Sequence, residues 1–174
     1  MHDPVNPLPC LTTPRLALVP AVDADLDALV ALLQQPEVRR YLCDDLVFPR
    51  EQIAGFIDRA RGNWPRGLGI WMLRERGRCI GSVELKPVEQ PGLDGEIEPM
   101  IALDPDCWRR GYAAEALRAV IAHAFETLAL PRLVALVDEP NLDSHRLMQK
   151  IGFTPTGACA GLRFPLAIYR LQSR

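Results

Sequence analysis

Apolar and polar positions change period several times along this chain, and each change predicts an element. Arg15 to Val19 alternates, with Leu16 and Leu18 on one side, as a half-buried strand does, and Pro20 ends it. Asp23 is placed to cap a helix whose apolar face is Leu26, Leu29, Val30, Leu32 and Leu33. Pro36 stops that helix, Glu37 to Leu42 reads as a further short helical turn, and Pro49 opens another helix with Ile53, Phe56 and Ile57 inward. After a loop over residues 62–69, strands follow at Ile70 to Arg74 and Cys79 to Val88, joined through Glu75-Arg76-Gly77. The turn dipeptides Pro91-Gly92 and Asp94-Gly95 lead into a strand over Glu96 to Leu103. Pro99 inside it cannot donate to a ladder, so a bulge or a locally unpaired edge is expected there.

Beyond that strand the period changes again. Ala113, Leu117, Val120, Ile121, Ala124, Phe125 and Leu128 fall at three- and four-residue spacings, giving a helix over 111–128 with one inward stripe. Leu133 to Val137 is a short apolar run of the kind buried on both faces. Residues 143–151 form a helix closed by Gly152, and Phe153 to Ala158 and Phe164 to Leu171 are the last strands. The order is that of an α+β sheet, antiparallel at first and then crossing over once through a helix.

Length and composition narrow the classes. At 174 residues, residues 11–174 form a single domain, with residues 1–10 as a loosely held tail. A net charge of −2 carries no basic footprint for nucleic acid, and no apolar run approaches the ~20 residues of a membrane span. No targeting segment is evident, which points to a cytoplasmic protein. The five cysteines are scattered with no CxxC pair, so reduced, mostly buried thiols are expected and no metal site.

The chemistry concentrates at the crossover. A basic turn bearing glycine, Trp108-Arg109-Arg110-Gly111-Tyr112-Ala113-Ala114, feeds the helix over 111–128. Free N–H groups of a first helical turn, with about half a positive charge from the helix dipole, make a pocket for phosphate. The lysine and hydroxyl of GxxxxGK[ST] are absent, as is GxGxxG. By itself such a turn fits an ordinary solvated helix start equally well. A second block lies downstream: Asn141-x-x-Ser144-x-x-Leu147-Met148-x-Lys150-x-Gly152-Phe153.

Together the two blocks resemble the Gcn5-related N-acetyltransferase (GNAT) superfamily, in particular its RimJ/RimL-like branch. Thr13-Pro14-Arg15-Leu16, Pro36-Glu37-Val38-x-Arg40-Tyr41 and Leu103-Asp104-Pro105-x-x-Trp108 are similar to that branch's other blocks, so the likeness spans most of residues 11–171. It implies a mixed, mostly antiparallel sheet of six or seven strands, with a central βαβ crossover and helices on both faces. It implies acetyl-CoA as co-substrate, with no metal, and a primary-amine acceptor, either a protein N-terminus or a small molecule. Members often dimerise, so a homodimer is among the implied states. The pyrophosphate would lie on the amides of Arg109 to Ala114, and the pantetheine along Ile101, Ala102 and Leu103 where two strands part. Asn141 and Ser144 would flank the thioester. The family more often has Gln or Arg where Trp108 stands.

Acetyl transfer to an amine needs a proton acceptor, because a lysine-like ammonium has a pKa of ~10.4 and an α-amine ~8. Glu98 and Glu96 are the candidates, two apart and so on one side of a regular strand. Glu98 is preferred because it aligns with an acidic residue frequent in this branch. The developing oxyanion needs a donor, for which a backbone N–H near Ile101 is available. Many relatives protonate the departing thiolate with a tyrosine. Here Met148 occupies that place, and Ser144 is the substitute. The substitution also motivates a rival reading, a non-catalytic acyl-CoA-binding sensor or interaction domain. Asp44 and Asp45 are further candidates for attracting a cationic acceptor, although a plain solvated turn explains them equally well. Trp64 is a candidate for lining its pocket, as is Trp71, for which core packing is the expectation. Packing roles are expected for His123 and His145.

Overall fold

A computed structural model describes residues 8–173. Strands β1 (Leu11–Thr12), β2 (Ala17–Pro20), β3 (Gly69–Glu75), β4 (Arg78–Pro87) and β5 (Ile97–Leu103) form one antiparallel sheet in that order. Strands β6 (Arg132–Asp138), β7 (Thr154–Cys159) and β8 (Leu166–Gln172) form a second, with β8 in the middle. The described residues thus hold eight strands in two hydrogen-bonded groups, against an expectation of six or seven in one sheet. The additional strand is β1, too short for periodicity to reveal. It is aligned on β2 by a tight turn in which Thr13 N–H donates to Leu16 O and Leu16 N–H to Thr13 Oγ1.

Helices α1 (Leu26–Leu33), α2 (Pro36–Leu42) and α3 (Arg50–Gly62) cover one face, and α4 (Tyr112–Ala122) and α5 (Leu142–Lys150) the other. Alternation on the strands sorts side chains between two cores. Trp71, Leu73, Val83, Leu85, Ile97 and Leu103 pack with Leu117 and Val120 of α4, whereas Ile70, Met72 and Ala102 pack with Leu29, Leu33, Ile53 and Ile57. Asp25 rather than Asp23 braces the start of α1: its carboxylate accepts from Val22 N–H at 3.0 Å and from Arg74 at 2.7 Å. The helix expected over 111–128 ends as α at Ala122 and continues as one π turn, His123–Thr127. Buried His123 bonds Gly67 O there (2.9 Å) and sits edge-on to Trp71.

Residues 8–10, expected to belong to a loose tail, are held in place. Leu8 is buried, and the Trp71 indole donates to Pro9 O at 2.7 Å. Residues 1–7 of that expected tail lie outside the described residues. Among the described residues no helix is long and apolar enough to cross a membrane.

The junction between the two sheets positions the site. The connection from β5 to β6 runs through α4, the kind of crossover that parallel neighbours require, yet no ladder bond joins them among the described residues. Pro99 pairs with Leu85 in unbroken register, so the bulge does not occur and the unpaired edge does. Asp104 N–H donates to Ile80 O and Val88 N–H to Glu96 O, fixing the even-numbered residues as those bonded to β4. By alternation the backbone groups of Ile101 and Leu103 point away from β4, toward β6. The same parity argument applies to β6, where Glu139 N–H donates to Pro165 O across the β8 side. Val134 and Leu136 therefore turn their backbone groups toward β5.

Candidate active site

Two strand edges with unused N–H and C=O groups thus face each other. Such groups demand partners, so the cleft is built to receive a chain that itself carries amides. Of the three residues predicted there, Ile101 and Leu103 present backbone to the cleft, while Ala102 is bonded to β4 opposite Ser82. Leu103 O is already occupied, accepting from the Trp108 indole at 2.9 Å. That bond pins the loop after β5, and Asp104 tightens it by accepting from Asp106 N–H at 3.1 Å.

The loop then delivers the helix start. Arg109 has φ 61° and Gly111 φ 82°, both left-handed, and Gly111 serves as N-cap of α4 without a side-chain cap bond. The first-turn amides, Tyr112 to Ala114, have no hydrogen-bond partner among the described residues. A non-glycine residue held left-handed costs of order 1 kcal/mol, the kind of outlier that marks a functional turn. The Arg109 and Arg110 side chains are exposed and form no ion pair among the described residues. Tyr112 contributes only its amide, since its ring is buried and its hydroxyl donates to Glu75. A shallow groove beside this turn is lined by Arg15, Arg118 and Lys150, none of which stands out in the sequence patterns as a charge for the ligand.

On the opposite face of the sheet lies a cavity of about 330 Å³. Its floor is Ser82, Glu84 and Lys86 of β4 with Met100 and Ala102 of β5. Its roof is Leu29 and Leu33, Cys43 and Phe48, and the α3 row Gln52, Phe56, Arg59. Glu98 stands on that face opposite Lys86, whose Nζ lies 3.6 Å from Glu98 Oε1 and 3.9 Å from Glu89 Oε1. Burial pushes Glu98 up to about 7, against the opposing pull of Lys86. Glu84 is also raised by burial, partly offset by Lys86 and Arg59. Alternation with Val83 and Leu85 makes Glu84 look like a solvent-facing residue, which is why sequence reasoning misses it. Helices α1 and α3 cover that face instead.

Several predicted residues go elsewhere. Glu96 is not free to act as a base, because Arg132 grips it from the start of β6 (Nη2 to Oε1 2.6 Å, Nε to Oε2 2.9 Å) and Arg170 stands 4.0 Å away. It serves as a clamp across the β5–β6 gap. Asp45 is engaged by Arg39 (3.5 Å) and Arg163 (3.6 Å). Asp44 lies close enough to raise buried Asp138 further, burial being the larger cause. Trp71 is core and Trp64 packs against it, so neither lines the cavity. Of the surface loops, 43–49 and 88–95 contribute Cys43, Phe48 and Glu89 to the lining, and 62–69 contributes none of it.

Asn141 caps α5, its Oδ1 accepting from Ser144 N–H at 3.2 Å, and Ser144 is half-buried in the first turn. Met148 is buried in the main core. The His145 ring is engaged at both nitrogens, Nδ1 meeting the Tyr169 hydroxyl at 2.8 Å and Nε2 meeting Glu139 O at 3.1 Å. A neutral ring donating from Nε2 and accepting at Nδ1 satisfies both bonds and ties the β6–α5 corner to β8.

Comparisons with known proteins bear on the family and the fold. The sequence profile of the acetyltransferase (GNAT) domain matches residues 15–154. The uncharacterized N-acetyltransferase YoaA of Bacillus subtilis is 32% identical over 152 residues, covering 86% of this chain and 85% of that protein. An acetyltransferase from Agrobacterium tumefaciens superposes with a TM-score of 0.81 at 29% identity, covering 99% of each chain. RimL, an alpha-N-protein acetyltransferase of a ribosomal protein solved in complex with coenzyme A, shares the fold (TM-score 0.80, 16% identity, 94% of this chain and 98% of that one).

Proposed function

The chain belongs to the GNAT acetyltransferase family and is an acetyl-CoA-dependent acyltransferase, and from that premise we propose that it acetylates a primary amine by direct attack, with Glu98 as general base. The observation that carries this reading is the Glu98 carboxyl: buried, on the cavity side of the strand whose free edge faces the β5–β6 gap, and titrating near 7. A base poised near the working pH combines the right protonation state with useful basicity, an effect typically worth ~10²–10⁴-fold.

When bound, acetyl-CoA supplies the thioester carbonyl that the amine attacks and a thiolate that leaves. The open amides of Arg109 to Ala114 would hold its pyrophosphate, with Arg109, Arg110, Arg118 and Lys150 adding charge. Ile101 C=O and Leu103 N–H would pair with the pantetheine, and Ile101 N–H would face the carbonyl oxygen as negative charge develops. Glu98 would take the proton of the incoming ammonium before attack. Ser144 Oγ, in the first turn of α5, would donate toward the departing sulfur. The chain's likeness in fold to RimL supports placing it in the RimJ/RimL-like branch.

The test is release of free thiol from acetyl-CoA in the presence of a broad panel of primary amines, with Glu98→Gln alongside. Amine-dependent release, reduced at least a hundredfold in the variant at pH 8, is the expected result. No amine-dependent release, together with unimpaired coenzyme binding, would favour the sensor reading instead.

A further inference from the structure

The cavity on the α1–α3 side contains more than an amine needs. A plain cationic acceptor calls for carboxylates and an apolar wall. Glu84, Leu29, Leu33, Phe48 and Phe56 line the cavity, and Glu98 stands beside it on the same strand face, opposite the lining residue Lys86. Two cations also line it. Lys86 is engaged by Glu98 and Glu89, so its charge is internally matched. Arg59 is different: its guanidinium lies over the Phe56 ring, 5.2 Å from the centroid, and among the described residues it forms no ion pair. It is near enough to pull Glu84 downward electrostatically, yet no carboxylate lies within bridging distance. Gln52, Phe56 and Arg59 are spaced four and three apart, so they share one face of α3 and present an amide, a ring and a fork of five donors in a row.

Beside the lining residues Leu42 and Cys43 the fold is braced. The β7–β8 connection reaches across to α2, where Arg163 donates to Arg40 O at 3.2 Å and Phe164 packs on Tyr41 at 6.2 Å between centroids. A volume of about 330 Å³ sits at the lower end of the ~300–1,000 Å³ of small-molecule sites. An unpaired guanidinium at the rim can donate to a peptide carbonyl, but a free carboxylate matches both its charge and its planar fork.

Building on the acetyltransferase reading above, we infer that the acceptor is a free amino acid with an apolar side chain, its ammonium turned toward Glu84 and Glu98 and its carboxylate held by Arg59. Bidentate pairing of a planar carboxylate with guanidinium supplies both energy and orientation, and orientation aims the amine. The side chain lies against Leu29, Leu33 and Phe48. Transfer forms the N–C bond of an N-acetyl amino acid and breaks the C–S bond. The nitrogen gives up two protons, one to Glu98 before attack and one as the amide forms, and the thiolate takes up one, so one net proton passes to solvent.

The test uses the purified full chain with acetyl-CoA and three matched acceptors: an apolar amino acid such as leucine, the amine lacking its carboxylate, and a short peptide beginning with the same residue. Expected is a kcat/KM for the amino acid at least tenfold above both others. In Arg59→Gln the ratio of amino acid to amine falls toward one, and in Arg59→Lys it recovers in part, which a merely structural role of this exposed residue would not produce. Equal or better transfer to the decarboxylated amine or the peptide overturns this inference and leaves amine acetylation standing. Transfer to some other amine but to none of these three overturns this inference alone, and transfer to no amine at all overturns both.

Discussion

Arg15 and Glu115 lie a hundred positions apart and meet in a doubly hydrogen-bonded ion pair, with Nε to Oε2 at 2.7 Å and the Arg15 backbone N–H to Oε1 at 2.9 Å. The same guanidinium donates to Arg110 O (2.9 Å) and covers the Tyr112 ring. One side chain from the β1–β2 turn therefore holds the loop before α4, the first helical residue and the first-turn carboxylate. Thr13 adds a bond to Oε1 at 2.6 Å.

Glu115→Gln therefore loosens the turn before α4, proposed above to hold the pyrophosphate, without touching the reacting atoms. The carboxylate is opposed by burial but drawn below its ordinary range by the Thr13 and Arg15 hydrogen bonds. Hydrogen bonds to charged groups are worth roughly 1.5–3 kcal/mol each, less where Arg15 is half exposed. The expected outcome in calorimetry is a coenzyme Kd raised about tenfold, with kcat at saturation nearly unchanged. Because its folded pKa is depressed, the wild-type carboxylate's stabilising effect is present above the unfolded carboxylate range near ~4.3 and fades as pH falls through its lower folded value. An unchanged Kd would separate Arg15 and Glu115 from coenzyme binding.

The rate should follow the ionisation of Glu98. Only its carboxylate form accepts a proton, so kcat/KM rises with pH through about 7 and then levels. Lys86 opposes the effect of burial, so Lys86→Met moves the inflection upward. An inflection that stays put in Lys86→Met, or persists in Glu98→Gln, would assign the titration to another group, with Glu84 next in line.

Stability should show the same group with opposite consequence. The folded carboxyl sits near 7 and its ordinary value is 4.5, so between these the unfolded chain has lost a proton the native state keeps. Stability contributed by the protonated form is present below 4.5 and is lost as pH rises through about 7. Glu98→Gln keeps the shape and removes the titration. Its melting temperature is expected to exceed wild type at pH 8 and to match it near pH 4.5. A variant less stable than wild type at pH 8 would mean that the Lys86 contact outweighs desolvation.

Much of this was written into the chain, and what was hidden shares one cause. Leu117 and Val120 announced α4 because a helix stripe is local, and Gly111 announced the turn that starts it because that turn needs only backbone and glycine. Pro99 announced an edge, although not which of its two forms. Glu84 and Arg59 stayed hidden because each looks like a solvated residue within its own element, and only the packing of α3 over β4 makes them face one cavity. Glu96 misled for the mirror reason: its partner Arg132 lies thirty-six positions away, beyond the reach of any local pattern. Tertiary contact, not propensity, decided every one of these.

The proposed role of Ser144 in thiolate departure is open to test. Met148 is buried among apolar side chains and donates nothing, so Ser144 is the one hydroxyl in the first turn of α5. A thiol with a pKa of ~8.5 is already a fair leaving group near neutral pH, so protonating it saves less than deprotonating an ammonium of pKa ~10. Ser144→Ala should lower kcat about tenfold, well short of the ~10²–10⁴ expected for losing the base, and leave coenzyme Kd alone. Asn141→Ala is the control: it removes the cap on Ser144 N–H, costs ~1 kcal/mol of stability, and affects kcat only indirectly. Stopped-flow measurement of thiol release below pH 8 distinguishes them, because the Ser144→Ala deficit should shrink as pH approaches the thiol's own pKa. A deficit constant with pH would make Ser144 a positioning residue of the helix start, leaving the sulfur to depart unassisted.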